Sequence, residues 1–351
     1  MRVVVVGATG NVGTSLLPAL AADPAVESIL GVARRLPNLD LPKTEWARAD
    51  IADDDLVPLF RAADAVVHLA WTIQPSRDLS RLWRINVEGS TRVFRAAGEA
   101  GVPAVVYASS VGAYARGPKD AAVDESWPTN GIPTSFYGRH KAEVERRLDR
   151  FEQERPETRV VRLRPGLIFK REAAEGIRRL FVGPFLVNPL VRPSLIPVVP
   201  DIPGLRFQAV HSYDVGEAYR LAVTRDARGP FNIAAEPVLD PAELARILGA
   251  RLLRFPAGAA RRLAELTWRL HVQPTPPGWV DLALGVPILD TTRAREELGW
   301  RPQHSASDAL RDLLTGLREG AGAPTPPLAP ATTGPARIDE LKTGVGEREE
   351  L

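Results

Sequence analysis

Short apolar runs alternate with amphipathic stretches along the first 165 residues of the chain. Runs such as 65–67 and 104–107 are continuously apolar, which is typical of strands that are covered on both faces of a parallel sheet. The predicted strands are residues 2–6, 28–33, 46–48, 64–69, 104–108 and 159–164. Helices are predicted between them, at residues 11–22, 54–62, 82–100 and 136–154. This alternation predicts an α/β fold with a doubly wound parallel sheet.

The regular alternation ends near residue 165, and proline becomes frequent beyond it. Two later apolar runs, 207–210 and 231–234, return to the first pattern on either side of a helix predicted at 214–223. We therefore expect interleaved domains. The expected parts are a larger sheet domain at 1–165 with returning segments at about 205–235, and a smaller substrate-binding lobe at 166–204 and 236–320. A tail rich in Pro, Gly, Ala and Thr at 321–351 is expected to be disordered or to lie along the surface.

The amino-acid composition excludes several kinds of chemistry. The 351 residues contain no cysteine, which excludes a disulfide framework, thiolate metal ligands and a thiol nucleophile. The five histidines have no metal-ligand spacing, so no metal is expected. Lysine and arginine number 45 against 43 acidic residues, without a basic stripe, which argues against a nucleic-acid partner.

One apolar stretch, 181–200, raises the question of a membrane span. Its five prolines and Arg192 would break a spanning helix, so a buried irregular segment is expected and no membrane partner. The N-terminal residues lead directly into a strand and lack the pattern of a signal peptide. We therefore expect a cytoplasmic location.

Glycines stand at the junction of the first strand and the first helix, in the order Gly7, Gly10 and Gly13. Glycines in this arrangement permit a tight turn, close approach of the backbone to a pyrophosphate, and close packing of helix on strand. The helix N-terminus would then direct free N–H groups at the phosphates. We therefore expect residues 1–165 to be a dinucleotide-binding Rossmann domain. Its phosphate-binding residues would be Gly7, Thr9, Gly10, Asn11, Val12 and Gly13.

The nucleotide is usually selected about 20 residues past the last glycine, where a carboxylate binds the ribose 2′-hydroxyl of NAD. This chain has Arg34 and Arg35 there and no acid. Guanidinium groups suit a 2′-phosphate, so NADP(H) is favoured and NAD(H) remains the alternative. The competing interpretation is that both arginines are solvated loop charges. Asp50 and Ile51 end the third strand and are expected to contact the adenine.

Tyr137 and Lys141 are four residues apart on a predicted helix and so share one face. A free tyrosine has a pKa near 10, and a shift of about 3 units, or roughly 4 kcal/mol, would make it a base near pH 7. A cation about 4 Å away supplies roughly this energy at an effective dielectric constant of 20. Ser110 follows a predicted strand, at the edge where such sheets bind ligands. His140, on the same helix, is expected at the surface.

Several motifs in order resemble the extended short-chain dehydrogenases/reductases, the NAD-dependent epimerase/dehydratase family. The resemblance covers roughly residues 1–316. The motifs are Gly7-x-x-Gly10-x-x-Gly13, Asp64 to Ala70, Asn86 to Ser90, Ser110-x-x-x-Tyr114, Tyr137-x-x-x-Lys141, Arg164-Pro165-Gly166 and Leu298 to Pro302.

The resemblance implies roles for individual residues. Tyr137 would be the general acid/base, Lys141 would lower its pKa and hold the nicotinamide ribose, and Ser110 would polarise the carbonyl. Asn86 is expected to fix local backbone geometry. The further cofactor contacts implied are Leu69, Ala70, Trp71, Asn86 and Pro165. Pairing into a homodimer is common in such enzymes and stays open here.

Departures from the family narrow the reaction. The Asp-Glu pair of sugar-nucleotide dehydratases is absent after Ser110, and so is the asparagine that epimerases carry after the sixth strand. Phe207 stands where epimerases have an arginine, and Trp71 replaces a small residue beside the pocket. We therefore expect an oxidoreductase that interconverts an alcohol and a carbonyl on a small, fairly apolar molecule. The first alternative is a nucleotide-sugar epimerase, and the second is a non-catalytic NADP-binding regulator.

Overall fold

The computed structural model describes residues 1–73, 77–181 and 196–329. In chain order the strands are β1 Arg2–Val6, β2 Ser28–Ala33, β3 Thr44–Arg48, β4 Ala65–His68, β5 Ala104–Ala108, β6 Ala122–Val123, β7 Arg159–Pro165, β8 Leu167–Phe169, β9 Val198–Asp201, β10 Ala209–His211, β11 Gly229–Ile233, β12 Arg251–Arg254 and β13 Ile288–Leu289. Seven of them form one sheet in the order β11-β7-β5-β4-β1-β2-β3. Every pairing within it is parallel. The predicted α/β fold with a doubly wound parallel sheet is confirmed.

The helices are α1 Gly13–Ala22, α2 Val57–Phe60, α3 Leu79–Trp83, α4 Ser90–Glu99, α5 Phe136–Glu154, α6 Ala174–Phe181, α7 Ser212–Thr224, α8 Pro241–Leu248, α9 Ala257–Arg269, α10 Gly278–Gly285, α11 Thr292–Glu296 and α12 Ala306–Glu319. Helix α5 has the predicted bounds. The single helix predicted at 82–100 is instead α3, a π-helical turn at Arg84–Gly89, and α4 in succession. None of the helices within the described ranges is long and apolar enough to cross a membrane.

Two apolar layers cover the two faces of the large sheet. On one face, Leu16 and Leu20 of α1 and Val215 of α7 pack against Val3 and Val5. On the other face, residues of α2, α4 and α5 pack against the alternate side chains of the same strands. Each large side chain buried in this way contributes about 1.5–3 kcal/mol relative to an exposed one. The sheet is therefore held between helices, and its C-terminal strand ends remain the place for a site.

The two later strands have different partners. Strand β11 pairs with β7 and extends the large sheet, whereas β10 pairs with β8 in a separate small sheet. Two further small sheets join β9 with β12 and β6 with β13. Of the two apolar runs expected to return to the first pattern, only the second therefore enters the large sheet.

Part of the expected C-terminal tail lies within the described residues. At 321–329, which are expected to be disordered or to lie along the surface, Thr325 and Leu328 are buried and joined by a backbone hydrogen bond. The remainder of that expected tail, 330–351, lies outside the described residues, as does most of the segment 181–200.

Trp300 offers a test of how this core is held. The side chain is fully buried, and its Nε1 donates to the backbone oxygen of Asp214 at 2.7 Å. Trp300→Ala should lower the free energy of unfolding by about 3–5 kcal/mol, because it leaves a cavity and removes a buried donor. Urea denaturation measures this change. Leu270→Ala, at a side chain that is 63% exposed, is the control and should shift stability by no more than about 0.5 kcal/mol.

Candidate active site

The glycine-rich turn meets three separate steric demands. Gly7 has φ +86°, and a Cβ there would lie 2.5 Å from the amide nitrogen of Ala70. A Cβ at Gly13 would lie 2.3 Å from the backbone oxygen of Ala8, so glycine lets the start of α1 pack directly on the turn that follows β1. At Gly10 nothing comes closer than 3.5 Å, which leaves the backbone open on that side. The turn therefore fits a bound pyrophosphate.

Polar groups around this turn also fit an anion. The amides of Thr14, Ser15 and Leu16 already donate to the backbone oxygens of Gly10 and Val12, so the donors left for an anion are the amides of residues 11–13. Helix α1 carries no acidic residue in its first turn. The Asn11 side chain donates from Nδ2 to the oxygen of Ile168 at 3.2 Å, while its buried Oδ1 has no hydrogen-bond partner and could accept from a hydroxyl or amide of a ligand but not from a phosphate oxygen. Thr9 is buried and Val12 immediately precedes the helix. All of the residues predicted to bind phosphates thus lie together at one turn.

The residues predicted to select the nucleotide lie at the ends of β2 and β3. Arg34 and Arg35 directly follow β2 and are exposed. Nη1 of Arg34 lies 4.0 Å from Oδ2 of Asp50, whose Oδ1 accepts from the amide of Ala52 at 2.9 Å. Ile51 is buried. Two guanidinium groups and one carboxylate therefore lie at the position predicted to select the nucleotide.

The segment after β4 is held by Asn86. This fully buried side chain accepts from the amide of Thr72 at 2.8 Å and donates to the oxygen of Thr72 at 2.9 Å. Asn86 lies in the π-helical turn, a widened turn that is frequent at functional sites. The contacts agree with its expected role in fixing the backbone. They set the course of Leu69, Ala70 and Trp71 along the edge of the site, while Pro165 ends β7 beside Ile233.

Ser110 and Tyr137 lie close together at the C-terminal edge of the sheet, since a Cβ at Gly112 would lie within 3.4 Å of both Oγ of Ser110 and Cε1 of Tyr137. Ser110 follows β5, begins a short 3₁₀ helix and accepts from the amide of Gly112 at 3.0 Å. Tyr137 is the second residue of α5. A Cβ at Gly112 would lie 2.7 Å from Cε1 of Tyr137, so only glycine lets the two segments approach this closely.

Lys141 lies one helical turn beyond Tyr137 and is buried. Its Nζ donates to the oxygen of Ala108 at 2.6 Å and lies 3.5 Å from the centroid of the Trp71 ring. It is 5.9 Å from the centroid of the Tyr137 ring. Burial lowers the pKa of Lys141 well below its usual value, although the charge of Glu145 acts in the opposite direction.

The pKa of Tyr137 differs from expectation. Burial raises it to about 12, and the nearby Ser110 hydroxyl opposes that rise. Desolvation therefore dominates this pKa, and the role expected of Lys141 stays a prediction. The phenol is protonated at neutral pH, which suits a proton donor.

A buried carboxylate that the sequence reasoning missed supports these residues. Glu145, one turn beyond Lys141, accepts from Ser109 Oγ at 2.5 Å and from Nε and Nη2 of Arg164 at 2.8 Å each. Arg162 Nη1 lies 3.2 Å away. Burial acts to raise the pKa of Glu145, but the bonds from Arg164 and the charge of Arg162 hold it at about 2. Arginines within a predicted buried strand were the available signal, since such charges need buried partners.

Arg164 extends this network across the sheet. Its Nη1 donates to the Tyr114 hydroxyl at 3.0 Å, and that hydroxyl donates to Oδ1 of Asn232 in β11 at 2.7 Å. Helix α5, strand β7 and the last strand of the sheet are thus connected by buried hydrogen bonds.

The environment of His140 differs from the one expected. The side chain was expected at the surface, yet it is 3% exposed and contacts the rings of Trp83 and Phe136 edge-on, with centroids 5.3 and 5.7 Å away. Burial, with the charge of Arg139, lowers its pKa to about 4. The imidazole is therefore neutral, and it packs α5 against α3.

Aromatic rings cover the phenol on the side of the smaller lobe. The Trp279 ring lies 5.2 Å from the Tyr137 ring at 32°, and the Trp71 ring lies 6.0 Å from it edge-on. Phe181 contacts Trp279 with centroids 5.3 Å apart. Trp279 was not predicted, because only the tertiary fold brings α10 to α5.

This fold and this arrangement are those of a nucleotide-binding α/β protein with a Ser, Tyr and Lys set at the sheet edge. Residues 3–234 match the NAD dependent epimerase/dehydratase family. The chain belongs to that family, and the family expected from the sequence is confirmed.

Individual relatives share the sequence and the fold to different extents. An uncharacterized protein of Mycobacterium tuberculosis is 27% identical over 327 residues, covering 90% of this chain and 83% of that protein. The structure of Thermus thermophilus UDP-glucose 4-epimerase in complex with NAD has a TM-score of 0.66 and 21% identity, covering 91% of this chain and 99% of that one. An Agrobacterium tumefaciens short-chain dehydrogenase/reductase superfamily protein with bound NAD has a TM-score of 0.67 and 21% identity, covering 91% and 98%.

The buried network predicts unequal effects for the same substitution at two places on α5. Glu145→Gln should destabilise the protein by about 3–5 kcal/mol, because it leaves the buried Arg164 without its counter-charge, whereas Arg162 keeps its pairs with Asp149 and Glu152. The control is Glu143→Gln, whose partners Arg146 and Arg147 form partly exposed pairs and contribute roughly 0–1 kcal/mol. Chemical denaturation at pH 7 compares them. Equal effects would contradict the assignment of Glu145 as the centre of the network.

Proposed function

We propose that this protein is a nicotinamide-dependent oxidoreductase that interconverts an alcohol and a carbonyl group on a small, fairly apolar molecule. The observation that carries this proposal is the proximity of the Ser110 and Tyr137 side chains, which both lie against Gly112, one helical turn from Lys141 and at the same sheet edge as the glycine turn. Proton transfer and dinucleotide binding are thereby available side by side. No thiol is needed, in keeping with a chain without cysteine.

In the direction of reduction, Ser110 donates a hydrogen bond to the substrate oxygen and Tyr137 delivers a proton to that oxygen. The nicotinamide, when bound, supplies the hydride that the carbonyl carbon receives. A phenol whose pKa is raised to about 12 is fully protonated and ready to donate. Lys141 would hold the nicotinamide ribose, and its positive charge would then stabilise the phenolate that remains until solvent returns the proton.

The walls of the site support an apolar substrate. The rings of Trp71 and Trp279 lie 6.0 and 5.2 Å from the ring of Tyr137, and Phe181 packs on the Trp279 ring at 5.3 Å. A large indole at position 71 reduces the space beside the phenol. Such walls favour compact apolar molecules, whose binding is driven by burial of apolar surface.

A nucleotide-sugar epimerase is the second candidate. The same three residues would serve a transient oxidation, and the fold resembles that of Thermus thermophilus UDP-glucose 4-epimerase. An epimerase retains its cofactor between turnovers, so tightly held nucleotide in the purified protein, released only on denaturation, would favour this candidate over the oxidoreductase.

For the cofactor we propose NADP(H) in preference to NAD(H), since Arg34 and Arg35 are exposed where a 2′-phosphate would lie. The alternative is supported by the NAD-bound structures of similar proteins.

Removal of the Tyr137 hydroxyl tests the proposed proton donor. Tyr137→Phe should lower turnover of a responsive carbonyl compound by at least about a hundredfold, because the proton donor is lost. Cofactor affinity should stay within about twofold, since the ring remains. A panel of carbonyl compounds screened for NADPH consumption supplies the substrate. Tyr213→Phe, at a half-exposed tyrosine outside this set, is the control. Retained turnover in Tyr137→Phe would refute the assignment of Tyr137 as the proton donor. If the unmodified protein turns over no compound of the panel, the alternative of a non-catalytic NADP-binding regulator is favoured.

Fluorescence titration with NADPH and NADH tests the proposed nucleotide preference. NADPH should bind about tenfold more tightly, which corresponds to about 1.4 kcal/mol. The double substitution of Arg34 and Arg35 by alanine should remove this difference, whereas Arg95→Ala, at an exposed helix position paired with Glu99, should preserve it. Equal or tighter binding of NADH by the unmodified protein would contradict the preference.

A further inference from the structure

A buried lysine lies against the phosphate-binding turn. Lys170 directly follows β8 and is 2% exposed. Its Nζ donates to the backbone oxygen of Asn11 at 2.8 Å, to Thr14 Oγ1 at 2.7 Å and to Ser15 Oγ at 3.0 Å. All of these acceptors belong to the turn after Gly10 or to the first turn of α1.

This position is unfavourable for a cation in the protein alone. Burial of an ammonium group is costly unless a counter-charge is present, and no carboxylate oxygen of the described residues lies within 4.0 Å of this one. The N-terminus of a helix also carries a partial positive charge, which repels cations. The bonds to Asn11, Thr14 and Ser15 are to neutral groups only. The site thus has an excess of positive charge.

The elements around Lys170 do not neutralise its positive charge. Helix α1 has no ionisable side chain. From α7, the ring of Tyr213 lies 5.8 Å away. From the turn that follows β8, Glu172 exerts only a distant attraction, and Arg171 is an exposed cation paired with Glu319. Asp312 of α12 accepts from the amide of Arg171 at 2.8 Å and pairs with His211 of β10. Burial accordingly lowers the pKa of Lys170 to about 8, with Glu172 opposing the shift.

The lysine also controls the direction of a peptide group in the turn. The Asn11 oxygen accepts from Lys170, from Thr14 Oγ1 at 3.1 Å and from Ser212 Oγ at 3.1 Å. The N–H and C=O of a trans peptide point in opposite directions. Donors gathered on the Asn11 oxygen therefore turn the N–H of Val12 away from the lysine, and the bound ammonium polarises that peptide.

We propose that Lys170 is the buried counter-charge for the pyrophosphate of the dinucleotide, acting from behind the glycine turn. This inference rests on the proposed dinucleotide-dependent function. A buried cation acts over a longer range than an exposed one, since water screens it less. Lys170 is a positioning residue, because its ammonium is bonded to the turn.

A charge role and a structural role predict opposite effects of removing the amine. If Lys170 serves the ligand, the ligand-free protein bears the cost of its burial, and Lys170→Met should leave the melting temperature unchanged or raise it at pH 7. If Lys170 serves only to hold α1, the same variant should melt at a lower temperature. Lys119→Met is the matched control. Lys119 is also largely buried, its pKa is also lowered to about 8 by burial, and its Nζ donates to two backbone oxygens at 2.8 Å, remote from the glycine turn.

Calorimetric titration of the full chain with ADP-ribose and with adenosine gives the decisive measurement. ADP-ribose carries the pyrophosphate, and adenosine does not. Lys170→Met should weaken ADP-ribose binding at least tenfold at pH 7 and leave adenosine binding unchanged, and Lys119→Met should change neither. In the unmodified protein ADP-ribose binding should weaken as pH rises above about 8, because the free protein loses the proton of Lys170 there; this decline should be absent in Lys170→Met.

Each remaining result overturns one proposal in particular. Equal ADP-ribose binding by Lys170→Met and the unmodified protein, or parallel loss of ADP-ribose and adenosine binding with a lower melting temperature, would overturn the role of Lys170. An unmodified protein that binds neither ADP-ribose nor a nicotinamide dinucleotide would instead overturn the proposed function.

Discussion

The arrangement of the candidate active site depends on the hydrogen bonds and ion pairs of the Glu145 carboxylate. This carboxylate joins α5 to β7 through Arg164 and Arg162, and to the end of β5 through Ser109. Each buried ion costs several kcal/mol to desolvate, so the charges are tolerable only in this paired geometry. Because Tyr137, Lys141 and Glu145 are successive residues on one helical face, fixing Glu145 against the sheet fixes the other two at its edge.

Burial then sets the protonation of the groups that would react. Desolvation disfavours the charged form of any side chain, so it raises the pKa of Tyr137 and lowers that of Lys141. The phenol of Tyr137 is therefore neutral, and the ammonium of Lys141 loses its proton more readily than a free lysine. A bound dinucleotide would change the local charge around both groups. Trp71 adds to this state, because its ring lies against the amine of Lys141. Binding of the cofactor and activation of the phenol would be coupled through the same lysine.

The sequence predicted the parts of the fold that follow from local pattern. Strands β1, β4 and β5 are continuous apolar runs, and α5 has a regular polar face, so their positions could be predicted closely. The π-helical turn at Arg84–Gly89 could not, since one additional residue in a turn leaves the apolar pattern nearly unchanged. Strand β10 has three residues, too few to encode a choice between β8 and the large sheet. His140 looked exposed because a polar residue on a polar helix gives no sign of the aromatic rings that cover it.

Two kinds of buried charge occur among the described residues: one is paired with opposite charges, and the other is bonded only to neutral groups. Glu145 is neutralised by arginines of the same domain, and this network is complete without a ligand. Lys170 is bonded only to neutral oxygens, at the end of a helix that already attracts anions. A folded chain gains nothing from a cation placed there, because an apolar residue of the same length would avoid the cost of desolvation. A negatively charged ligand at the adjoining turn would supply the missing partner of Lys170. The buried charge of Lys170 therefore indicates ligand binding, whereas that of Glu145 stabilises the fold.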